Sequence, residues 1–498
     1  MLPAPRADLA TNTLDYETIP LVKPTGFREY DARWLLGSEI SLLGLRALGL
    51  GLGTYFHERG QKRVVVGHDF RSYSLSVKQA LTLGLVGAGC EVLDIGLALS
   101  PTAYFAQFAL EAPCVAMVTA SHNENGWTGV KMGVGAPLTF GPDEIGRLKE
   151  IVLSGAWMER AGGTVSQVDV RERFLADIVA RCQLTRPIKV ICACGNGTAG
   201  AFAPEALRRM GAEVIEMDCE LDWTFPRYNP NPEDHEMLKS MGEAVRAHGA
   251  DLALGFDGDG DRCGVVDDRG EEIFADKIGL MLARDLAPLH PNARFVVDVK
   301  STGLYATDEI LAANGATTLY WKTGHSYIKR KTAEIGALAG FEKSGHFFFN
   351  APYGRGYDDG LVAAAAVLSM LDRNPGKKLS DLKKALPPAF TSLTMSPHCA
   401  DEAKYATVDA VVKEYEALAA AGGSILGRKV VNVNTVNGVR VALEDGSWVL
   451  VRASSNKPEM VVVVESMSSA DDMRALFRDE VKPRLAKYPA VGAYNQEI

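Results

Sequence analysis

The chain has 498 residues, 47% of them hydrophobic and 23% charged, with a formal net charge of −9. That length exceeds what one hydrophobic core serves and predicts about three to four domains, while the acidic balance speaks against a nucleic-acid-binding surface as the main role. The eight cysteines include no C-x-x-C pair, which excludes the usual thioredoxin-like and zinc-ribbon patterns.

Residues 1–11 lack the apolar run of a signal peptide, and no segment approaches the ~20 apolar residues of a membrane span. A cytoplasmic protein without membrane or nucleic-acid partners is the expectation, and scattered cysteines suit a reducing compartment. Residues 63–67 then read as a β-branched strand, followed by a helix-length segment, the glycines Gly87 and Gly89, and a second strand from Cys90. The same strand, helix, glycine and strand return over residues 188–214 and 294–318. A helix that crosses between parallel strands explains such alternation, and three related α/β domains are predicted.

Within the first of these, the apolar run of residues 114–118 leads into Thr119-Ala120-Ser121-His122-Asn123. A serine where a strand meets a loop is placed to be a nucleophile or a phosphate carrier, with His122 and Lys131 as nearby basic groups. The same residue types also build ordinary turns. In the second, Cys192 and Cys194 alternate within an apolar run and read as small buried residues. Further on, Leu252-Ala253-Leu254 runs into Gly255-Phe256-Asp257-Gly258-Asp259-Gly260-Asp261-Arg262. Three carboxylates spaced by glycine can converge on one hard cation. An exposed acidic turn is the plain alternative, but three aspartates beside a buried strand are costly without a counter-ion. An EF-hand does not fit, because its sixth and twelfth positions would be Arg262 and Asp268 instead of glycine and glutamate.

The third carries Phe341-Glu342-Lys343-Ser344-Gly345-His346, a set that can hold sugar hydroxyls or cap a turn. Past about residue 388, Pro387-Pro388 and Ser396-Pro397 mark a junction. A helix near residues 408–421 and strands near 430–433, 438–443, 447–451 and 460–465 follow, with Asp445-Gly446 as a hairpin signal. That is a smaller α+β domain, and its Arg452-Ala453-Ser454-Ser455-Asn456 loop makes a plausible phosphate cradle. The predicted domains are residues 1–166, 167–269, 270–388 and 389–498.

Taken in order, these four loops resemble those of the α-D-phosphohexomutases over essentially the whole chain. The resemblance extends to Phe27-Arg28-Glu29-Tyr30-Asp31-Ala32-Arg33, to Lys300 and to Lys322-Thr323-Gly324-His325-Ser326-Tyr327-Ile328-Lys329. It implies an α/β fold of three related domains with mixed sheets and a smaller C-terminal α+β domain, arranged around a central cleft. The implied enzyme is an intramolecular phosphotransferase. It would interconvert hexose 1-phosphate and hexose 6-phosphate, of mannose or glucose, through phosphorylated Ser121 and a bisphosphorylated sugar. Mg²⁺ would sit on Ser121, Asp257, Asp259 and Asp261, with hexose 1,6-bisphosphate as activator or intermediate. Lys131 is the first choice for the base and His325 the second, with His122 and Arg33 also catalytic. Tyr30, Arg262, Lys300, His325 and His346 would line the substrate site, while Glu342 and Ser344 grip sugar hydroxyls. Arg452, Ser454, Ser455 and Asn456 would hold the phosphate that is not reacting. Small sugar phosphates are the implied partners, the expected assembly is a monomer or dimer, and the C-terminal domain is expected to hinge near residue 388 as a lid.

Phosphoglucosamine mutase is the alternative within the family. A metal-dependent sugar phosphatase is a weaker one, since it leaves the Ser121 and Arg452 loops without work. The chain departs from the usual family pattern at Trp34, where glycine is common, at Glu124, where proline is common, and at Lys343, Asn456 and Lys457. These departures leave the preferred sugar open.

Overall fold

The computed structural model describes residues 18–454 and 457–498. They form two compact units, one running to Ala275 and including Ser344–Ser380, the other made of Asp276–Lys343 and Asp381–Ile498.

In the first unit the β-branched run becomes the strand Arg63–His68, followed by the helix Ser74–Gly87 and the parallel strand Glu91–Leu97. A helix, Ser100–Ala109, carries the chain back to the strand Cys114–Val118, which lies parallel on the other side of the first. The chain then returns antiparallel as Trp127–Val134. A second sheet repeats the plan: Lys189–Ala193 lies between the parallel strands Glu213–Met217 and Leu252–Phe256, and Cys263–Val266 returns antiparallel. In the second unit, Arg294–Asp298 lies between the parallel strands Thr317–Trp321 and Ala339–Phe341.

The glycines after the crossover segments mark the repeat in the backbone as well. Gly89, Gly211 and Gly315 have φ of 82°, 102° and 66°. A side chain resists that left-handed region, so glycine ends each helix cleanly. The third crossover departs from the expected single helix. It is split into Leu304–Thr307 and Glu309–Ala313, because the Asp308 carboxylate accepts from the N–H groups of Ile310 and Leu311 and starts a new helix.

One consequence of the repeat governs the chemistry. The Ser121, Asp257 and Glu342 loops each leave the C-terminal end of the third strand of their repeat. Parallel strands end there with backbone groups free to turn outward, the usual place for ligand loops in α/β sheets.

The C-terminal helix, Asp401–Ala420, covers an antiparallel sheet that includes Arg428–Asn434, Val439–Leu443, Trp448–Ala453 and Met460–Ser466. Alternation along these strands turns Val439, Val441, Val449, Val451, Val462 and Val464 toward Val408, Val411 and Tyr415. Trp448, Leu450, Val461 and Val463 line the other face and pack with Val299. The junction expected to hinge near residue 388 lies inside this unit and is bridged. Glu465 accepts from Thr302 Oγ1 (2.9 Å), the Gly303 N–H (2.7 Å) and Trp448 Nε1 (2.8 Å), and Arg440 donates to the carbonyls of Val299 and Ser301. Among the described residues, no helix is long and apolar enough to cross a membrane.

Candidate active site

Ser121 sits three residues past the strand Cys114–Val118 with φ of 51°, a left-handed bend that turns the chain sharply. The bend is braced from below. Asp69 accepts from Thr119 Oγ1 (3.0 Å) and the Ala120 N–H (3.3 Å), and it is ion-paired with Arg71. Arg71 in turn donates to the carbonyls of Ser121 (2.9 Å) and Asn123 (2.6 Å). Both side chains of this pair are buried. One guanidinium thus satisfies two loop carbonyls and one carboxylate, which holds a strained serine in place.

The Asp257 loop packs against this turn. A Cβ on Gly258 would meet the Ser121 carbonyl oxygen at 2.5 Å, so only glycine admits the approach. Ser121 Oγ donates to Asp257 Oδ2 at 3.0 Å and lies 3.2 Å from His122 Nδ1. Asp257, Asp259 and Asp261 are all fully buried, and each offers a carboxylate oxygen within 4.8 Å of the others. Ser100 Oγ donates to Asp259 Oδ2 at 2.6 Å, and Lys131 Nζ bridges Asp259 Oδ2 (2.7 Å) and Asp261. Arg262 lies 3.8 Å from Asp257 and donates from Nε to His346 Nε2 at 3.3 Å. His346 Nε2 also lies 3.4 Å from Asp261, and its Nδ1 is 3.1 Å from Ser344 Oγ.

Electrostatics follow from this crowding. Burial, then the charges of Asp259 and Asp261, push the Asp257 carboxyl up to about 8. The Arg262 guanidinium, burial and Arg33 hold His122 well below the ordinary imidazole range, so it is a neutral ring. Burial alone would lower Lys131, but Asp259 and Asp261 outweigh it and hold this lysine well above its usual value. Lys131 is therefore an ammonium in this arrangement. A divalent cation suits the triad: the three carboxylates are hard oxygen donors, and Asp259 Oδ1 is buried without a hydrogen-bond partner among the described residues.

Arg33 joins the same face by register. It lies opposite Gly129 on the neighbouring antiparallel strand, and Lys131 is two residues further along that strand. Positions two apart share a face, so both cations point to one side. Arg33 pairs with Asp31 at 2.9 Å and donates to the Asn123 side chain; Tyr30 lies three residues before it.

The second unit holds its own cluster. Glu342 Oε1 accepts from the Gly324 N–H at 2.5 Å, just ahead of the helix His325–Glu334. Asp298 accepts from Thr323 Oγ1 (3.1 Å) and Ser301 Oγ (2.7 Å), and Lys300 approaches it at 4.0 Å. The Thr323 N–H donates to Asn437 Oδ1 at 3.3 Å. The next residue, Gly438, presses so close to Arg452 that a Cβ there would lie 2.6 Å from its Cα. Arg452 thus neighbours the turn that precedes His325. Arg452 Nη1 donates to the Ala453 carbonyl at 2.9 Å, and the Ser454 N–H donates to the Glu459 carbonyl at 3.0 Å.

Comparison with known proteins bears on what this geometry is for. Four profiles described as phosphoglucomutase/phosphomannomutase domains match in order: alpha/beta/alpha domain I over residues 24–158, domain II over 172–270, domain III over 274–390 and the C-terminal domain over 398–482. A phosphomannomutase/phosphoglucomutase of Pseudomonas aeruginosa is 33% identical over 465 residues, covering 93% of this chain and 96% of the relative. The chain belongs to the phosphoglucomutase/phosphomannomutase family. It is a phosphohexomutase, an enzyme that interconverts hexose phosphates. A phosphoglucomutase of Neisseria gonorrhoeae is 31% identical, with 89% of this chain and 93% of the relative covered. The crystal structure of a phosphoglucomutase/phosphomannomutase family protein from Burkholderia thailandensis superposes with a TM-score of 0.84 at 30% identity, covering 95% of this chain and all of that one.

Of the residues that the phosphohexomutase resemblance names, Ser121, His122, Lys131, Asp257, Asp259, Asp261, Arg262, Ser344, His346 and Arg33 gather in the first unit. Glu342, Lys300, His325 and Arg452 cluster in the second. Ser454 follows Arg452 there, and Ser455 and Asn456 lie outside the described residues. The family departure at Trp34 is absorbed by the core: the indole is fully buried, stacks edge-on with Phe27 and donates to the Lys23 carbonyl. Asp69 and Arg71 are the functional pair the sequence reading misses. Their signal is an acid and a base two residues apart, just past the strand Arg63–His68.

Proposed function

We propose that this phosphohexomutase moves phosphate between O1 and O6 of mannose and glucose through a phosphorylated Ser121 and a bisphosphorylated sugar. The observation that carries the reading is the contact of Ser121 Oγ with Asp257 Oδ2 at 3.0 Å, on a turn held by Asp69 and Arg71. Placement of that kind presents one hydroxyl, with its phosphate, at a fixed point beside a cation site. Mg²⁺ bound by Asp257, Asp259, Asp261 and the Ser121 phosphate would supply positive charge where phosphoryl charge develops.

The chain's own residues do the rest. Lys131, held as an ammonium, donates to phosphoryl oxygens, and Arg33 and Arg262 add charge beside the Ser121 and Asp257 loops. Base duty for Lys131 follows release of its pairs with Asp259 and Asp261; the neutral His122 ring already lies within reach of Ser121 Oγ, and His325 is the further candidate. Glu342 and Ser344 read the sugar's O3 and O4, and Arg452 and Ser454, with Ser455 and Asn456, take the distal phosphate. The hexose 1,6-bisphosphate acts as intermediate and activator. A cytoplasmic setting is supported by eight cysteines that are all free and buried. The domain limits 1–166, 167–269, 270–388 and 389–498 serve as the working division.

Neither Glu342 nor Ser344 faces C2 in this scheme, so both C2 epimers should be accepted. Mannose 1-phosphate and glucose 1-phosphate are expected to differ by less than about tenfold in kcat/KM, ~1.4 kcal/mol, with glucosamine 1-phosphate poorer. Coupled assays of the three sugar phosphates test this. A hundredfold preference for either neutral sugar, or preference for the amino sugar, overturns it.

A further inference from the structure

The eight cysteines are free and buried, and three of them, none among the residues of the Ser121 and Asp257 loops, converge on one another. Cys192 lies in the strand Lys189–Ala193 and Cys194 directly follows it. Cys219 follows the neighbouring parallel strand, Glu213–Met217, which is the edge of its sheet. Strand alternation puts Cys192 and Cys194 on one side, and the next strand's end delivers Cys219 to them. The Cys219 and Cys194 sulfurs are 3.5 Å apart, those of Cys192 and Cys194 are 3.8 Å apart, and all three fall within 4.8 Å of one another.

That triangle has the size of a metal face. A tetrahedral ion with metal–sulfur bonds of about 2.3 Å spaces its sulfurs about 3.8 Å apart. Spacings of this kind are nearly twice the ~2.05 Å of a disulfide bond. We propose that Cys192, Cys194 and Cys219 form a binding site for one thiophilic d¹⁰ cation, of the Cu⁺, Zn²⁺ and Cd²⁺ class. Soft thiolates select these ions over Mg²⁺. Three sulfurs complete a trigonal Cu⁺ site and leave one position open on Zn²⁺ or Cd²⁺. Access is through Cys219, which keeps 8% of its surface exposed while the other two are fully buried.

An ion here would staple the ends of two adjacent strands. The chain leaving Cys194 reaches Thr198, whose N–H donates to the Gly258 carbonyl at 3.2 Å and whose Oγ1 accepts from the Phe70 N–H at 3.0 Å. The staple would therefore fix the turn that abuts the aspartate loop. The site stands on its own observations and is independent of the phosphoserine reading.

The test uses the full chain, reduced, stripped of transition metals and kept in excess Mg²⁺ so that the aspartate loop is supplied. Cd²⁺ titration should raise an ultraviolet thiolate-to-metal charge-transfer band that saturates at about one ion per chain. It should also raise Tm, as any ligand of the folded state does. Cys194→Ser and Cys219→Ser should lose both effects, and Cys90→Ser should keep them. If the serine variants do not fold, mass mapping of alkylation decides on the wild-type chain: Cd²⁺ should protect Cys192, Cys194 and Cys219 together. Absence of the band at stoichiometric Cd²⁺, a band unchanged in both serine variants, or protection that maps to other cysteines overturns the proposal.

Discussion

The Ser121 loop and the Asp257 loop leave the same point of two copies of one fold, and they do different work. The first offers a single hydroxyl on a left-handed turn, braced by the buried Asp69 and Arg71 pair. The second offers three buried carboxylates whose mutual repulsion is offset by Lys131 and Arg262. Topology fixes where a loop emerges; side chains decide whether it presents a hydroxyl or a set of carboxylates. The second unit adds a third solution. There the buried carboxylate of Glu465 is satisfied by the neutral donors Thr302, Gly303 and Trp448, with Thr391 on its other oxygen.

The largest expected effect removes the hydroxyl alone. Ser121→Ala should lower kcat by on the order of 10³-fold or more, with phosphate absent from the corresponding peptide and folding retained. An alanine variant with near-wild-type turnover would break the comparison at its root. Removing the brace comes next. Arg71→Ala leaves Asp69 buried without its partner and should cost about 3–5 kcal/mol in denaturant unfolding of the first unit. A loss under 1 kcal/mol would mean that the serine turn holds itself.

The aspartate loop should respond to charge instead of shape. Asp259→Asn should slow turnover by about 10²–10³-fold, and chelation should do the same to the wild-type enzyme, with Mg²⁺ restoring only the latter. Full activity in excess chelator would refute the cation role. The smallest effect sharpens the contrast with neutral donors. Burial would raise Glu465, but hydrogen bonds from Thr391, Gly303 and Trp448 prevail and hold its carboxyl below the ordinary glutamate value. Its contribution is thus present above about pH 4.5 and is lost as pH falls through the lowered folded value. Glu465→Gln should cost about 1.5–3 kcal/mol at neutral pH and flatten this acid dependence. An unaltered acid limb in the variant would assign that dependence elsewhere.

Much of the fold was legible in the chain because it is written in local terms. Strands such as Arg63–His68 and Leu252–Phe256 are β-branched or apolar runs, and Gly89, Gly211 and Gly315 stand where only glycine ends a helix comfortably. The Asp445-Gly446 hairpin formed between Val439–Leu443 and Trp448–Ala453 as expected. Polar capping was harder to see, and Asp308 broke a crossover helix that periodicity had joined. A buried brace such as Asp69 and Arg71 was hidden because a two-residue acid–base spacing is common on surfaces, and burial is not a property of spacing.

By itself the sequence determined which residue types stand at which strand ends: a hydroxyl at Ser121, carboxylates at Asp257, Asp259 and Asp261, an acid at Glu342 and a guanidinium at Arg452. Only the tertiary structure decided their states. It brought Lys131 from 128 positions away onto Asp259, making that lysine a held ammonium, and pressed Arg262 and Arg33 near His122, keeping that ring neutral. It also carried Cys219 to Cys194, across 25 positions, where the sequence shows only scattered thiols. The physical reason is that charge state and ligand geometry depend on distance and on exclusion of water, and both are set by contacts between segments remote in the chain.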